Sequence, residues 1–127
     1  MYKEVIICIV VIITILTINW LLQNYTKNSV TELNDNLEEL KQDLKEKDNE
    51  KTESKMKEIN DKWSKQYGIL AVFIEHDELE KVEFDLITLD GYIEIDDYCK
   101  GINEVNKSIF SLKHIAEKYD FSLVNVF

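Results

Sequence analysis

The chain has 127 residues, with 25 acidic side chains against 15 lysines and no arginine, and a formal net charge of −10. This charge disfavours nucleic acid and flat docking on anionic lipid, since both would repel it. The absence of arginine removes the usual two-pronged clamp for phosphate, so a phosphate-handling enzyme is also disfavoured.

The first predicted element is an apolar run that begins at Val5 and ends at Leu22. It contains no charge, glycine or proline, and as a helix it would be about 27 Å long, close to the hydrocarbon thickness of a bilayer. Trp20 lies where an aromatic belt would meet the lipid headgroups. A cleaved signal peptide and a buried core helix are the alternatives, but no small-residue cleavage site follows the run. We therefore expect residues 1–27 to be a single-pass membrane anchor, with the span at 5–22.

The orientation of this anchor rests on few charges. Lys3 precedes the run and Lys27 follows it, so the positive-inside rule hardly distinguishes the two sides. A tail of four residues is most easily left in the cytoplasm. The sequence thus predicts a cell-membrane protein whose C-terminal domain lies outside the cytoplasm.

Residues 28–127 are enough for one small domain with one core. The charged side chains that precede this domain are Lys3, Glu4 and Lys27, so the domain itself carries 24 acidic side chains against 13 lysines. Proline is absent, which favours helices.

The first helix of the domain is predicted at about residues 29–47. Ser29 and Glu32 have the spacing of a capping box, the usual start of a helix. An apolar stripe at three-four spacing follows; its members are Val30, Leu33, Leu37, Leu40 and Leu44. Residues 45–55 contain no apolar side chain, and Asp48 or Asn49 would cap a new helix folded back on the first. A single continuous rod is the alternative.

The middle of the domain admits two interpretations. In the first, a second helix buries an apolar stripe that consists of Met56, Ile59, Trp63, Leu70 and Ile74. A third helix, at about residues 77–94, buries a stripe that consists of Leu79, Val82, Leu86, Leu89 and Ile93. The alternation around Phe84 and the dipeptide Asp90-Gly91 would instead fit short antiparallel strands within residues 69–96, an α+β fold. The longer helical match favours the all-α interpretation.

The fourth helix has the most regular pattern. Asp96 or Asp97 would cap it, and its stripe contains Tyr98, Ile102, Val105, Ile109, Leu112, Ala116 and Tyr119. Residues 120–127 are apolar enough that we expect them to pack back on the domain. The predicted fold is therefore an N-terminal transmembrane helix followed by a small four-helix bundle.

A metal site is the sharpest chemical hypothesis that the sequence offers. Glu75, His76, Asp77 and Glu78 form the densest titratable cluster. The Glu-x-x-His motif of di-metal bundles is absent, however, and acids at the start of a helix favour its positive end. We therefore expect an ordinary helix terminus, with no metal or other cofactor.

Catalytic and ligand-binding patterns are weaker still. No nucleophile with a nearby base and no glycine-rich phosphate loop is indicated, so we expect no enzymatic activity and no small-molecule substrate. Aromatic side chains at helical spacing are predicted to be core rather than pocket; these are Trp63, Tyr67, Phe73 and Phe84. Phe110, off the stripe of its helix, and Phe127 are the candidates for an exposed interaction surface.

Two short motifs are residues 74–78, Ile-Glu-His-Asp-Glu, and residues 122–127, Ser-Leu-Val-Asn-Val-Phe. Together with the layout of the chain, these motifs resemble the domain of unknown function 4363 family. Members of this family, common in spore-forming Gram-positive bacteria, have one span after a short tail and then a helical domain of this size. The chain departs from the family at residues 51–55, which lack the usual Trp and Ala. The resemblance implies topology and an all-helical domain but no catalytic residue.

Together these observations predict a non-enzymatic, membrane-anchored helical protein. Besides the bilayer itself, its expected partner is a membrane protein or a second copy of the chain, which would make it an accessory or interaction subunit of a membrane complex. A ligand-sensing or divalent-cation-binding module with the same topology is the alternative.

Overall fold

The computed structural model describes residues 1–119, which form four helices. Helix α1 spans Tyr2–Glu46, α2 spans Asn49–Leu70, α3 spans His76–Glu94 and α4 spans Tyr98–Lys118. No strand occurs within this described part, so the all-α prediction is confirmed and the alternative with strands at 69–96 is wrong. The predicted packing of residues 120–127 on the bundle lies outside the described residues.

The longest element, α1, contains both the apolar run and the first helix of the bundle. Ser29 lies inside it and is buried, so the prediction of a separate helix starting at residue 29 is wrong. No glycine or proline interrupts the segment between the run and the bundle. The hydroxyls of Thr26 and Thr31 donate to the carbonyls of Leu22 and Lys27, at 2.9 and 2.8 Å. A capping box is needed only where a helix begins, and here the preceding turn supplies the hydrogen bonds.

The turn between α1 and α2 lies where the sequence predicted it. Lys47 adopts the left-handed conformation, with φ of 56°, and ends α1. The carboxylate of Asp48 then accepts a hydrogen bond from the N–H of Lys51 at 3.1 Å and caps α2. The predicted break near residues 48–50 is confirmed, and the single-rod alternative is wrong.

The helices pack as an antiparallel bundle. Helix α1 packs on α2 and α4, and α3 packs extensively on α4 and over a smaller area on α2, so α1 and α3 lie diagonally among the described elements. The apolar stripes predicted for the four helices meet in a single core. Leucines of α1 occupy its centre, and four of them are at most 1% exposed: Leu33, Leu37, Leu40 and Leu44.

The two ends of the bundle differ. At the distal end, the turns at residues 47–48 and 95–97 lie together, and the hydroxyl of Tyr98 donates to Asn49 Oδ1 at 2.6 Å. At the proximal end, the apolar half of α1 emerges beside the α2–α3 turn and the end of α4. The backbone N–H of Glu75 in that turn donates to the hydroxyl of Tyr119 at 2.9 Å.

Removing the cap of α4 is expected to destabilise the bundle. The Asp97 carboxylate accepts a hydrogen bond from the N–H of Lys100 at 3.1 Å. Asp97→Ala should lower the free energy of unfolding by about 1 kcal/mol, because that N–H loses its acceptor. Urea unfolding of the full chain in detergent micelles measures the change. Asp97→Asn retains an acceptor and is the matched control; equal losses in both variants would contradict this role.

Candidate functional site

The acidic cluster at the start of α3 is organised by one lysine of α4. Lys118 Nζ lies 3.1 Å from Glu78 Oε1 and 3.7 Å from Glu75 Oε2. Glu78 is buried, yet its hydrogen bond with Lys118 outweighs the effect of burial and holds the pKa of its carboxyl below the ordinary range. The cluster therefore ties α3 to α4.

The two histidines do not converge with these acids. His76 Nε2 lies 2.8 Å from Glu80 Oε1, and its Nδ1 lies 3.4 Å from the hydroxyl of Tyr67. His114 is exposed on α4. Across residues 1–119, no three His, Cys, Asp or Glu side chains are grouped in a way that could hold a metal ion. The arrangement of Glu75, His76, Asp77 and Glu78 is that of a helix terminus with ion pairs.

A buried pair of carboxyl groups joins α3 to α4, and sequence reasoning missed it. Asp85 is 3% exposed and Glu104 is 8% exposed. The hydroxyl of Ser111 donates to Asp85 Oδ2 at 2.8 Å, and Lys107 Nζ lies 3.3 Å from Oδ1. Acidic side chains on a helix are usually exposed to solvent, so their residue type does not indicate burial. The spacing of Asp85 in the sequence could have indicated burial, because it follows Val82 by three residues and so lies on the same buried face of the helix.

Burial determines the protonation behaviour of Glu104. It raises the pKa of the Glu104 carboxyl, a hydrogen bond with Asp85 raises it further, and the charge of Lys107 opposes the shift. A hydrogen bond that raises the pKa of a carboxyl group favours its protonated form, and in that form Glu104 is the donor toward Asp85. Glu104 Oε1 has no hydrogen-bond partner among the described residues, so ionisation of this group is unfavourable in the folded chain.

We expect Glu104→Gln to stabilise the bundle at alkaline pH. The folded pKa of Glu104 lies above its ordinary value of 4.5, so its contribution to stability is full below that value and is lost as the pH rises through the folded pKa. Glutamine keeps a donor to Asp85 and cannot ionise. The variant should match the wild type near pH 4 and exceed its free energy of unfolding by about 1 kcal/mol at pH 8. Urea titrations at both pH values test this, with Glu117→Gln, exposed on the same helix, as control. A gain that is independent of pH would contradict the assignment.

The proximal end holds a cleft between α1 and the end of α4. It is lined by Trp20, Gln23, Asn24, Thr26, Lys27, Ala116 and Tyr119. Its volume is about 120 Å³, whereas sites for drug-sized ligands measure roughly 300–1,000 Å³. The cleft is too small for such a ligand, and its main importance is that α4 ends against the segment where the apolar half of α1 begins.

The predicted aromatic core is only partly correct. Trp63 is buried, and Tyr67 packs edge-on against it with 5.8 Å between ring centroids, while Phe73 borders the core. Phe84 is 64% exposed, so its predicted place in the core is wrong. It follows Val82 by two residues, which on a helix places it on the opposite face.

Two exposed aromatic side chains lie on neighbouring helices, one on α3 and one on α4. Phe84 lies on α3, and Phe110, 73% exposed, lies on α4. Asp85 contacts both Lys107 and Ser111, so Phe84 and Phe110 lie at the same height on the two antiparallel helices. We name this pair the outer aromatic pair. Phe127, the other candidate of the sequence analysis, lies outside the described residues.

The apolar half of α1 is the only helix segment in the described part that is long and apolar enough to cross a membrane. Its most apolar window is entirely exposed, whereas the core helix of a soluble protein would be mostly buried. A signal sequence near the N-terminus would have the same length and composition.

Comparison with known proteins gives one match. A family model described as "Domain of unknown function (DUF4363)" matches residues 20–126, from within α1 through α2, α3 and α4 and on into the residues that follow. No curated protein and no solved structure matches the chain.

Proposed function

The chain belongs to the domain of unknown function 4363 family, a name that carries no activity, and we propose its function from its own geometry. It is a non-enzymatic, single-pass membrane protein whose bundle is an accessory or interaction subunit of a membrane complex. The bundle lies outside the cytoplasm, and its partner is another membrane protein or a second copy.

One observation carries the proposal: the first half of α1 is apolar and exposed, whereas the second half is buried in the bundle. Residues 1–21 are exposed on every side, while the same helix buries Leu37 and Leu40 completely farther along. An apolar helix without a protein neighbour is unfavourable in water, and lipid removes its surface from water without leaving a backbone group unpaired. Since no turn separates the two halves, the bundle is held rigidly at the bilayer.

The outer aromatic pair supports the interaction role. Phe84 and Phe110 are large apolar side chains that the core does not use. Burying such side chains against a partner is favourable, and aromatic residues are enriched in protein interfaces. A helix confined to the membrane also raises the effective concentration of this surface near a neighbour, so a small contact area is sufficient.

Cross-linking in native membranes tests the proposal. The full chain with a photo-reactive residue in place of Asn106, which is exposed on α4 one turn before Phe110, is expected to form one discrete adduct with a membrane protein or with a second copy of the chain. Phe110→Ser should abolish the adduct, while Ile95→Ser, a change at a side chain that is 69% exposed at the distal end, should preserve it. A C-terminal reporter fixes the orientation.

Two results would contradict the proposal. An adduct that survives Phe110→Ser would exclude the outer aromatic pair as the interface. Full extraction of the chain by alkaline carbonate would exclude the membrane anchor. The ligand-sensing alternative predicts a different result, a ligand-dependent rise in the melting temperature of the bundle without any adduct.

A further inference from the structure

The turn between α2 and α3 is apolar and exposed. Between Lys65 and Glu75 the chain carries no charge, the longest such stretch in the bundle. Val72 is 76% exposed, Ile69 is 46% exposed, and Ala71 is exposed as well. An exposed apolar stretch of this kind on a strongly charged domain indicates a contact surface.

Ion pairs between α1 and α2 show at which level along the axis of α1 this turn lies. Lys55 pairs with Glu39, and Lys62 Nζ lies 3.1 Å from Glu32 Oε1. From the first pair to the second, the chain advances seven residues along α2 and goes back seven residues along α1, as expected for antiparallel helices. The same step from Lys62 places Ile69 beside residue 25 of α1, and the following turn at the level of residues 22–24.

The end of α4 gives the same height independently. The hydroxyl of Tyr119 accepts a hydrogen bond from the N–H of Glu75, just after the turn. Tyr119 also borders the cleft that contains Trp20 and Gln23 of α1. The turn therefore lies where the apolar run, which ends at Leu22, passes into the bundle.

This height corresponds to the headgroup layer of a bilayer. Hydrocarbon about 30 Å thick accounts for roughly 20 residues of α1, and each headgroup layer adds about 5–7 Å, or roughly three to five residues. With Leu22 at the hydrocarbon boundary, this layer extends to about residue 26. Ile69, Ala71 and Val72 fall within it, at the depth that Trp20 and Tyr25 would occupy as interfacial aromatic residues.

We propose that the α2–α3 turn is a second membrane contact, whose apolar side chains enter the headgroup layer of zwitterionic lipid. The inference rests on the proposed membrane anchor. Zwitterionic lipid is favoured because Glu75 and Asp77, both exposed, follow the turn and would be repelled by an anionic surface. With two contacts, the span and the turn, the bilayer fixes both the tilt of the bundle and its rotation about α1.

Quenching of single-site fluorescent probes tests this inference in the full chain. Cys8 and Cys99 are free thiols, so Cys8→Ala and Cys99→Ala provide the background. Val72→Cys carries a polarity-sensitive probe in phosphatidylcholine vesicles, and Ile95→Cys, 69% exposed at the distal end, is the matched control. Ile12→Cys reports separately on the span. Each probe is titrated with a quencher attached to lipid headgroups and with aqueous iodide.

We expect the probe at residue 72 to lose emission with the headgroup quencher and little with iodide, and the probe at residue 95 to show the reverse. If the probe at residue 72 behaves like that at residue 95 while the probe at residue 12 is quenched by lipid, the second contact is refuted and the anchor stands. If the probe at residue 12 is not quenched by lipid, the anchor fails and the second contact with it. A probe at residue 72 shielded from both quenchers would also refute the inference, because residues 120–127 or a second copy would then cover the turn.

Discussion

Replacing Leu40 by alanine is expected to lower the free energy of unfolding by about 2–5 kcal/mol. Leu40 is completely buried on α1, the helix that packs on both α2 and α4. Truncation removes the apolar contacts of the side chain and leaves a cavity that three helices cannot close by small shifts. Small domains have a total stability of about 5–15 kcal/mol, so this one change removes a large fraction of it.

Chemical unfolding of the full chain in detergent micelles, followed by far-ultraviolet circular dichroism, measures the loss. Ile87→Ala removes similar atoms from a side chain that is 65% exposed on α3, and is expected to change the stability by less than about 0.5 kcal/mol. Similar small effects for the two variants would mean that the leucine stripe of α1 does not form the core.

Proline at residue 28 is expected to separate the two halves of α1. Asn28 is exposed and lies in the interior of the helix, between the apolar run and the buried stripe. Proline there removes one backbone hydrogen bond and its ring clashes with the preceding turn, at a cost of about 3 kcal/mol. We expect a kink or break that changes the angle between the apolar half and the bundle.

Distance measurements between spin labels at residues 12 and 45 detect the change. In the unsubstituted helix the labels are separated by about 50 Å, with a narrow distribution. Asn28→Pro should shorten and broaden this distribution, whereas Asn28→Ala, which suits a helix better than asparagine, should leave it unchanged. A broad distribution in the Asn28→Ala variant would mean that the junction is already flexible and that α1 is not one rigid element.

The helical stripes were predictable because their period of 3.6 residues is a local property of the sequence. Each of the four stripes forms part of the observed core, and the caps at Asp48 and Asp97 follow from short polar side chains at helix starts. The packing of α1 against α2 and α4 depends on long-range contacts, which this periodicity does not specify.

The features that the sequence analysis missed depend on context beyond a single helical turn. The capping spacing of Ser29 and Glu32 is the same whether or not a helix already runs into it, so it predicted a start that does not exist. Asp85 and Glu104 are charged side chains by type, and their burial is tolerable only because of partners on the facing helix, which are Ser111 and Lys107 for Asp85 and Asp85 for Glu104. Phe84 belongs to a type that is usually buried, and its position relative to Val82 decides against burial.

Because α1 is continuous, the length of the segment between Leu22 and Val30 determines the direction in which the bundle faces. Each residue added between Leu22 and Val30 would turn the bundle by about 100° about the helix axis and move it about 1.5 Å along that axis. One insertion would point the outer aromatic pair to a different side, while four insertions would return it to within about 40° of its original direction. The number of residues in this segment therefore sets the azimuth at which the bundle faces its neighbours.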